Sequence, residues 1–148
     1  MISLLDVNVL VALAWPNHIH HRPARVWFDN NSSTGWATCP LTQSAFVRIS
    51  SNRKVIPDAK TPQEALRVLR HIVNLPDHTF WIDDISIATT PHLKTSWLLG
   101  HKQVTDAHLL ALALRNDGRL ATFDRGVSQL IPKASLKECV VTLKPDPL

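Results

Sequence analysis

The sequence predicts an α/β fold, an α/β/α sandwich around a mainly parallel central sheet of about five strands. Three observations predict it. Short apolar runs of strand length recur between longer stretches whose apolar residues fall at helical spacing. The first run, Ile2 to Leu5, reaches a polar corner at Asp6-Val7-Asn8 and passes into the helix-compatible stretch Val9 to Trp15, the opening of an α/β unit. Later, Val104 to Gly126 reads as a helix, a tight turn and a short strand ended by another aspartate. A chain of 148 residues is one domain by size, 1–148, and long enough to bury a substantial core.

After Trp15-Pro16, Asn17 is the expected cap of a helix carrying Ala24, Val26, Trp27 and Phe28, closed by a turn from Asn30 to Gly35. His18, His20 and His21 invite a zinc reading, but no matching ligand cluster stands elsewhere, and a polar helix entrance is the preferred reading. Trp36 to Cys39 is the second strand, stopped by Pro40, and Thr42 is the expected cap of the next helix, with Ala45, Phe46, Val47 and Ile49 inward and Arg48 outward. Residues 50–60 read as a loop. Thr61 as cap, Pro62 at the first helical position and Glu64 completing a capping box start a helix through Ala65, Leu66, Leu69, Ile72 and Val73. These two helices form an arm beside the sheet.

Thr79 to Ile82 reads as the third strand. Asp83-Asp84 behind it either extends a metal site or, the preferred reading, is a solvated turn. Pro91 to Leu99 is a short helix or irregular stretch. In the block that follows, Thr105 and Asp106 start a helix whose residues Ala107 to Leu114 are almost all apolar, which implies burial on more than one side. Gly118 ends it, through a left-handed conformation, and Arg119 to Phe123 is the fourth strand. A short helical turn reaching Pro132 and a strand from Leu136 to Leu143 complete the fold, leaving Lys144 to Leu148 to fray.

The chemistry follows from lengths. About eleven helical residues at about 1.5 Å each travel about 16 Å, and about five strand residues return about as far. Asp124, at the strand's carboxyl end, therefore comes back beside Asp106 at the helix's amino end. Asp6 holds the same place on the first strand, so parallel strands bring all three together in the crevice where α/β sheets gather functional groups. Converging carboxylates repel one another unless a cation sits between them, and an all-oxygen set suits Mg2+ or Mn2+.

The stretches L-L-D-V-N-V-L-V-A-L, G-W-A-T-C-P-L-T-Q, G-H-K-Q-V-T-D-A-H-L-L-A-L-A and R-L-A-T-F-D-R-G, in this order across nearly the whole chain, resemble the PIN-domain toxins of the VapC type. The resemblance implies a PIN-like sandwich and a Mg2+- or Mn2+-dependent endoribonuclease, the toxic half of a type II toxin–antitoxin pair. It also implies a small antitoxin partner, commonly a homodimer, and an arm that serves dimerisation and antitoxin binding. It assigns Asp6, Asp106 and Asp124 to the metal site; the family's additional acid falls at about Gln43, which carries no charge. Asn8 and Thr105, with Gln43, are then candidates to hydrogen-bond ligands or bound waters. Arg125 is a candidate to pair with a ligand carboxylate or with phosphate, and Arg48, Lys102, His101, Arg53 and Lys54 to contact RNA phosphates.

Composition sets the outer limits. Hydrophobic content of 45% and charged content of 19% describe an ordinary globular chain, and a net charge of +4 favours an anionic partner. Two cysteines, Cys39 and Cys139, fit no disulfide framework; both fall in expected strands as reduced thiols of a cytoplasmic protein. No membrane span or signal peptide is expected. Four glycines leave no glycine-rich phosphate loop. Two readings compete: a phosphatase of the haloacid-dehalogenase type, with Asn8 in place of its second acid, and a weakly active PIN-fold module that binds RNA or a partner.

Overall fold

The computed structural model describes residues 1–131 and 138–146. Five parallel strands form one sheet in the order β3-β2-β1-β4-β5: β1 Ser3–Leu5, β2 Trp36–Thr38, β3 His78–Phe80, β4 Arg119–Thr122 and β5 Val140–Thr142. The register pairs Leu4 with Ala37 on one side and Leu120 on the other. Alternate residues face opposite ways. Leu4, Ala37, Leu120 and Val140 meet α5 (Val104–Arg115) and α6 (Arg125–Gln129), while Leu5, Trp36 and Ala121 meet α1 (Val7–Ala14), α2 (His21–Asn31), α3 (Pro40–Ser50) and α4 (Pro62–Val73). The chain moves outward from β1 to β2 and β3, then crosses back to β4. The sheet's topological switch point therefore lies between β1 and β4, where α/β sheets open a crevice.

Several boundaries differ from the sequence expectation, each for a local reason. Helix α1 begins at Val7 because Asp6 itself caps it, accepting from the Val7 N–H at 2.7 Å, so Asn8 is helical and exposed. Asn17 does not cap α2; His20 holds the cap position without a side-chain bond. Helix α3 starts at Pro40, and Thr42 works from its third residue, where the hydroxyl accepts the Cys39 N–H at 3.0 Å. Cys39 therefore follows β2 as the cap residue of α3, and Cys139 sits just before β5; both are buried, free thiols. Thr61 caps α4 as expected. Strand β3 starts and stops earlier than expected. Helix α5 grows out of a 3-10 turn, His101–Gln103, so Thr105 lies inside it. The stretch after Pro91 is irregular around a short 3-10 turn, Thr95–Trp97, that buries Trp97. Asp146, in the tail expected to fray, pairs with Arg22 at 2.7 Å. Pro132, Leu136 and Lys137, and Pro147 and Leu148 of the tail, lie outside the described residues.

Gly118 needs to be glycine for a reason the sequence did not show. The left-handed residue is Asp117, at φ 53°. A Cβ on Gly118 would stand 2.6 Å from the Ile2 carbonyl oxygen and 2.5 Å from the Trp81 ring. Backbone cannot swing aside, so Gly118→Ala is expected to cost about 1–3 kcal/mol through overpacking. Gly100→Ala, which meets only the Gln103 side-chain oxygen at 3.2 Å, is expected to be tolerated. Urea midpoints of the two variants check this, and equal midpoints would refute it.

Candidate active site

Asp6, Asp106 and Asp124 arrive at the crevice from different elements. The Asp6 N–H donates to the Ala121 carbonyl at 2.9 Å, which ties the end of β1 to the end of β4. The residue is only 4% exposed, and its carboxylate is bound at both oxygens, by the Val7 N–H and by the Thr122 hydroxyl, each at 2.7 Å. Asp124 caps α6, accepting the Gly126 N–H at 2.8 Å, and is exposed. Asp106 lies in the first turn of α5 and is half-buried. The three run from buried to open.

Their charges act on one another. Burial pushes Asp6 above the ordinary carboxylate range, its two hydrogen bonds pull it back, and Asp124 adds a smaller upward push. Asp106 is pushed up to about 6 by burial first, then by repulsion from Asp6 and from Asp124. Both effects favour a cation at this place. Among the described residues no three His, Cys, Asp or Glu groups, these aspartates included, are drawn together closely enough to hold a metal ion between them. The set is open and all oxygen. That fits a hard ion which keeps several waters, and fits poorly a zinc cage.

The sign of the pH dependence follows. A carboxyl whose folded pKa is raised stabilises the fold most below its unfolded value of 3.8 and loses that contribution as pH rises through about 6 for Asp106. Relative to wild type, metal-free Asp106→Asn is expected to gain melting temperature progressively from pH 4 to pH 7. Mg2+ should raise the wild-type melting temperature at pH 7 and not at pH 4. Thermal scans at both pH values check both statements, and a difference flat in pH would contradict them.

The remaining sequence-predicted residues divide by position. Gln43 donates its side-chain N–H to the Thr38 hydroxyl at 2.9 Å, and that hydroxyl meets His78 Nε2 at 2.8 Å, so the amide is held at the end of β2 by neutral partners. Asn8 and Thr105 are both exposed. Lys102 precedes Asp106 by one turn, Arg125 follows Asp124 directly, and both are exposed. Arg48 is exposed in the last turn of α3, about 12 Å along the helix from Pro40. Arg53 and Lys54 lie in the loop beyond it. Asp83 and Asp84 turn to α5 instead: Asp83 stands 2.7 Å from His108 Nε2 and Asp84 3.2 Å from Arg115. Neither is among the groups that perturb Asp6 or Asp106.

Thr122 was missed. It is fully buried, donates to Asp6 and accepts the Asp124 N–H at 3.0 Å, so one hydroxyl joins two of the three aspartates. The available signal was its place, a hydroxyl at the carboxyl end of β4 two residues before Asp124. The histidines after Trp15 form the expected helix entrance: His18 Nδ1 accepts the His20 N–H, His21 Nδ1 meets the Ala12 carbonyl, and His20 stacks on Phe123 with centroids 4.9 Å apart. Away from the aspartates, a cavity of about 770 Å³ separates the loop after α1 from the loop joining α3 to α4, lined by Trp15, Ile19, Val55 and Ile56 among others.

No helix is long and apolar enough to cross a membrane among the described residues. The model of the PIN domain family matches residues 3–131. Ribonuclease VapC38 of Mycobacterium tuberculosis is 51% identical over 128 residues, covering 86% of this chain and 89% of that protein. Ribonuclease VapC39 of the same species is 48% identical, covering 86% and 92%, and Ribonuclease VapC44 is 38% identical, covering 97% and 100%. Among solved structures, VapBC2 from Rickettsia felis bound to a DNA fragment from its promoter matches with a TM-score of 0.62 over 97% of this chain and 100% of that one. Its identity of 10% makes this a likeness of fold alone.

Proposed function

The chain belongs to the PIN domain family, and from that membership we propose that it is a VapC-type endoribonuclease, the toxic component of a type II toxin–antitoxin system. The observation that carries the proposal is the family match over residues 3–131, which takes in Asp6 and Asp124 at the carboxyl ends of β1 and β4 and Asp106 in the first turn of α5. Asp6, Asp106 and Asp124 would hold Mg2+ or Mn2+, which supplies a nucleophilic water and stabilises charge developing on a phosphodiester.

The protein's own groups do the rest. Asp6, clamped by Thr122 and Val7, fixes the inner wall of the site. Asp124 is exposed on the side where RNA would arrive, and Asp106 lies half-buried behind it. Arg125, Lys102 and Arg48 supply phosphate contacts, adding affinity without sequence preference. Gln43, Asn8 and Thr105 border the site as neutral side chains that orient ligands or waters. The apolar-lined cavity beside the α3–α4 arm supports a cognate antitoxin as partner, with a second copy of the chain pairing through the same arm. Membership of the PIN domain family sets aside the haloacid-dehalogenase reading.

Purified protein incubated with RNA tests the proposal. Cleavage in Mg2+ or Mn2+ that stops on chelation supports it. Binding without cleavage in either ion would leave the weakly active module standing in its place.

A further inference from the structure

A second cleft opens on the β5 side of the aspartates. It has a volume of about 710 Å³ and lies between α6 and the segment leaving β5, with Arg125, Ser128, Gln129, Thr142 and Lys144 on its walls. That is the size of a pocket for a ligand as large as a nucleotide. Arg125 is the residue next to Asp124, so the cleft begins where the acidic set ends. Asp146 also lines it, but Arg22 takes that carboxylate at 2.7 Å, which leaves the cations at Arg125 and Lys144 unopposed by it. Both are exposed. The other polar walls are hydroxyls and an amide, groups that bond phosphate and sugar oxygens.

Resting on the ribonuclease reading, we propose that this cleft binds the RNA backbone on one side of the scissile phosphate, with Lys144 and Arg125 as its phosphate contacts and Gln129 and Ser128 bonding the sugar–phosphate edge. A cation beyond the aspartates offsets the repulsion that a carboxylate-lined site exerts on an arriving polyanion. It also holds the strand in register across the site. An acidic peptide from a protein partner is the competing occupant. The direct continuity with Asp124 favours RNA.

The test uses the full-length Asp106→Asn protein, so that RNA is bound and not consumed, with labelled single-stranded RNA over a KCl series. Lys144→Glu is expected to weaken binding about tenfold and flatten the logarithmic salt dependence by about one phosphate's share, a slope change near 0.7. Lys144→Arg should restore both. Lys94→Glu, on the exposed stretch before Trp97, should change neither. An unchanged affinity and slope in Lys144→Glu would overturn the cleft while leaving the nuclease intact, and so would a variant that keeps RNA affinity but loses an acidic protein partner. Failure of the wild-type protein to cleave any RNA in Mg2+ or Mn2+ would overturn the reading beneath it, and the cleft's assignment with it.

Discussion

Asp106→Asn is expected to lower metal-dependent RNA cleavage by on the order of a thousandfold or more, with Asp6→Asn and Asp124→Asn doing the same. Each removes one negative charge from the same ion, so the losses are not additive, and a double variant should be little worse than a single one. The folding consequences differ among the three, and that difference separates function from damage. Asp106 is repelled by its neighbours and pushed up to about 6, so its neutral replacement relieves strain and should raise the metal-free melting temperature at pH 7. Asn at position 6 still accepts the Val7 N–H and caps α1, so the fold survives. Asp6→Ala loses the cap and leaves the Thr122 hydroxyl without its acceptor in a buried place, at about 1–3 kcal/mol. Activity and melting temperature measured together decide the matter. Full activity in any one of the Asn variants removes that residue from the site, whereas loss of activity with a raised melting temperature in Asp106→Asn is the signature of a functional charge.

The places of Asp6, Asp106 and Asp124 at element ends were legible because local chemistry marks each of those ends. A strand that stops at Asp, an apolar run that starts at Val104-Thr105-Asp106 and a turn at Asn116-Asp117-Gly118 are short-range signals, and strand parallelism does the rest. What was not legible depends on neighbours remote in sequence. Gly118 is constrained by Trp81 and by the carbonyl of Ile2, which no local window contains. Strand β3 lies at the sheet's edge with two of its three residues exposed, so it lacks the burial pattern that would mark its limits. The sequence expectation starts α1 two residues late, because a carboxylate that reads as a corner and a ligand also caps the helix. The resemblance alone puts Gln43 near the acidic set; the Thr38 hydroxyl that its amide bonds is shared with His78 on β3, a distant contact that spacing does not encode.

Thr122→Val is expected to weaken Mn2+ binding about 10- to 100-fold, the usual cost of removing a group that orients a metal-binding side chain. Valine matches threonine in shape and suits a buried strand, so the packing around β4 stays filled and only the hydroxyl is lost. Two bonds go with it. Asp6 Oδ2 loses its donor at 2.7 Å, and the Asp124 N–H loses its acceptor at 3.0 Å. The first loss matters more for the charge. Burial already raises the Asp6 pKa, and the Thr122 hydroxyl is the largest influence pulling it back; without it the carboxyl holds its proton to higher pH and competes less well for a cation. The pH at which cleavage begins should therefore move upward, and excess Mn2+ should recover part of the rate. The second loss frees the backbone ahead of α6, so Asp124 is less firmly aimed even though it still caps that helix through Gly126. Thr122→Ser keeps the hydroxyl and should retain affinity close to wild type, which separates the bond from the methyl group. Calorimetric titration of Mn2+ into wild type, Thr122→Val and Thr122→Ser reads these differences without RNA present. Equal affinity in wild type and Thr122→Val would mean that Thr122 only packs the end of β4, and that Asp6 is held for the metal by the cap of α1 alone.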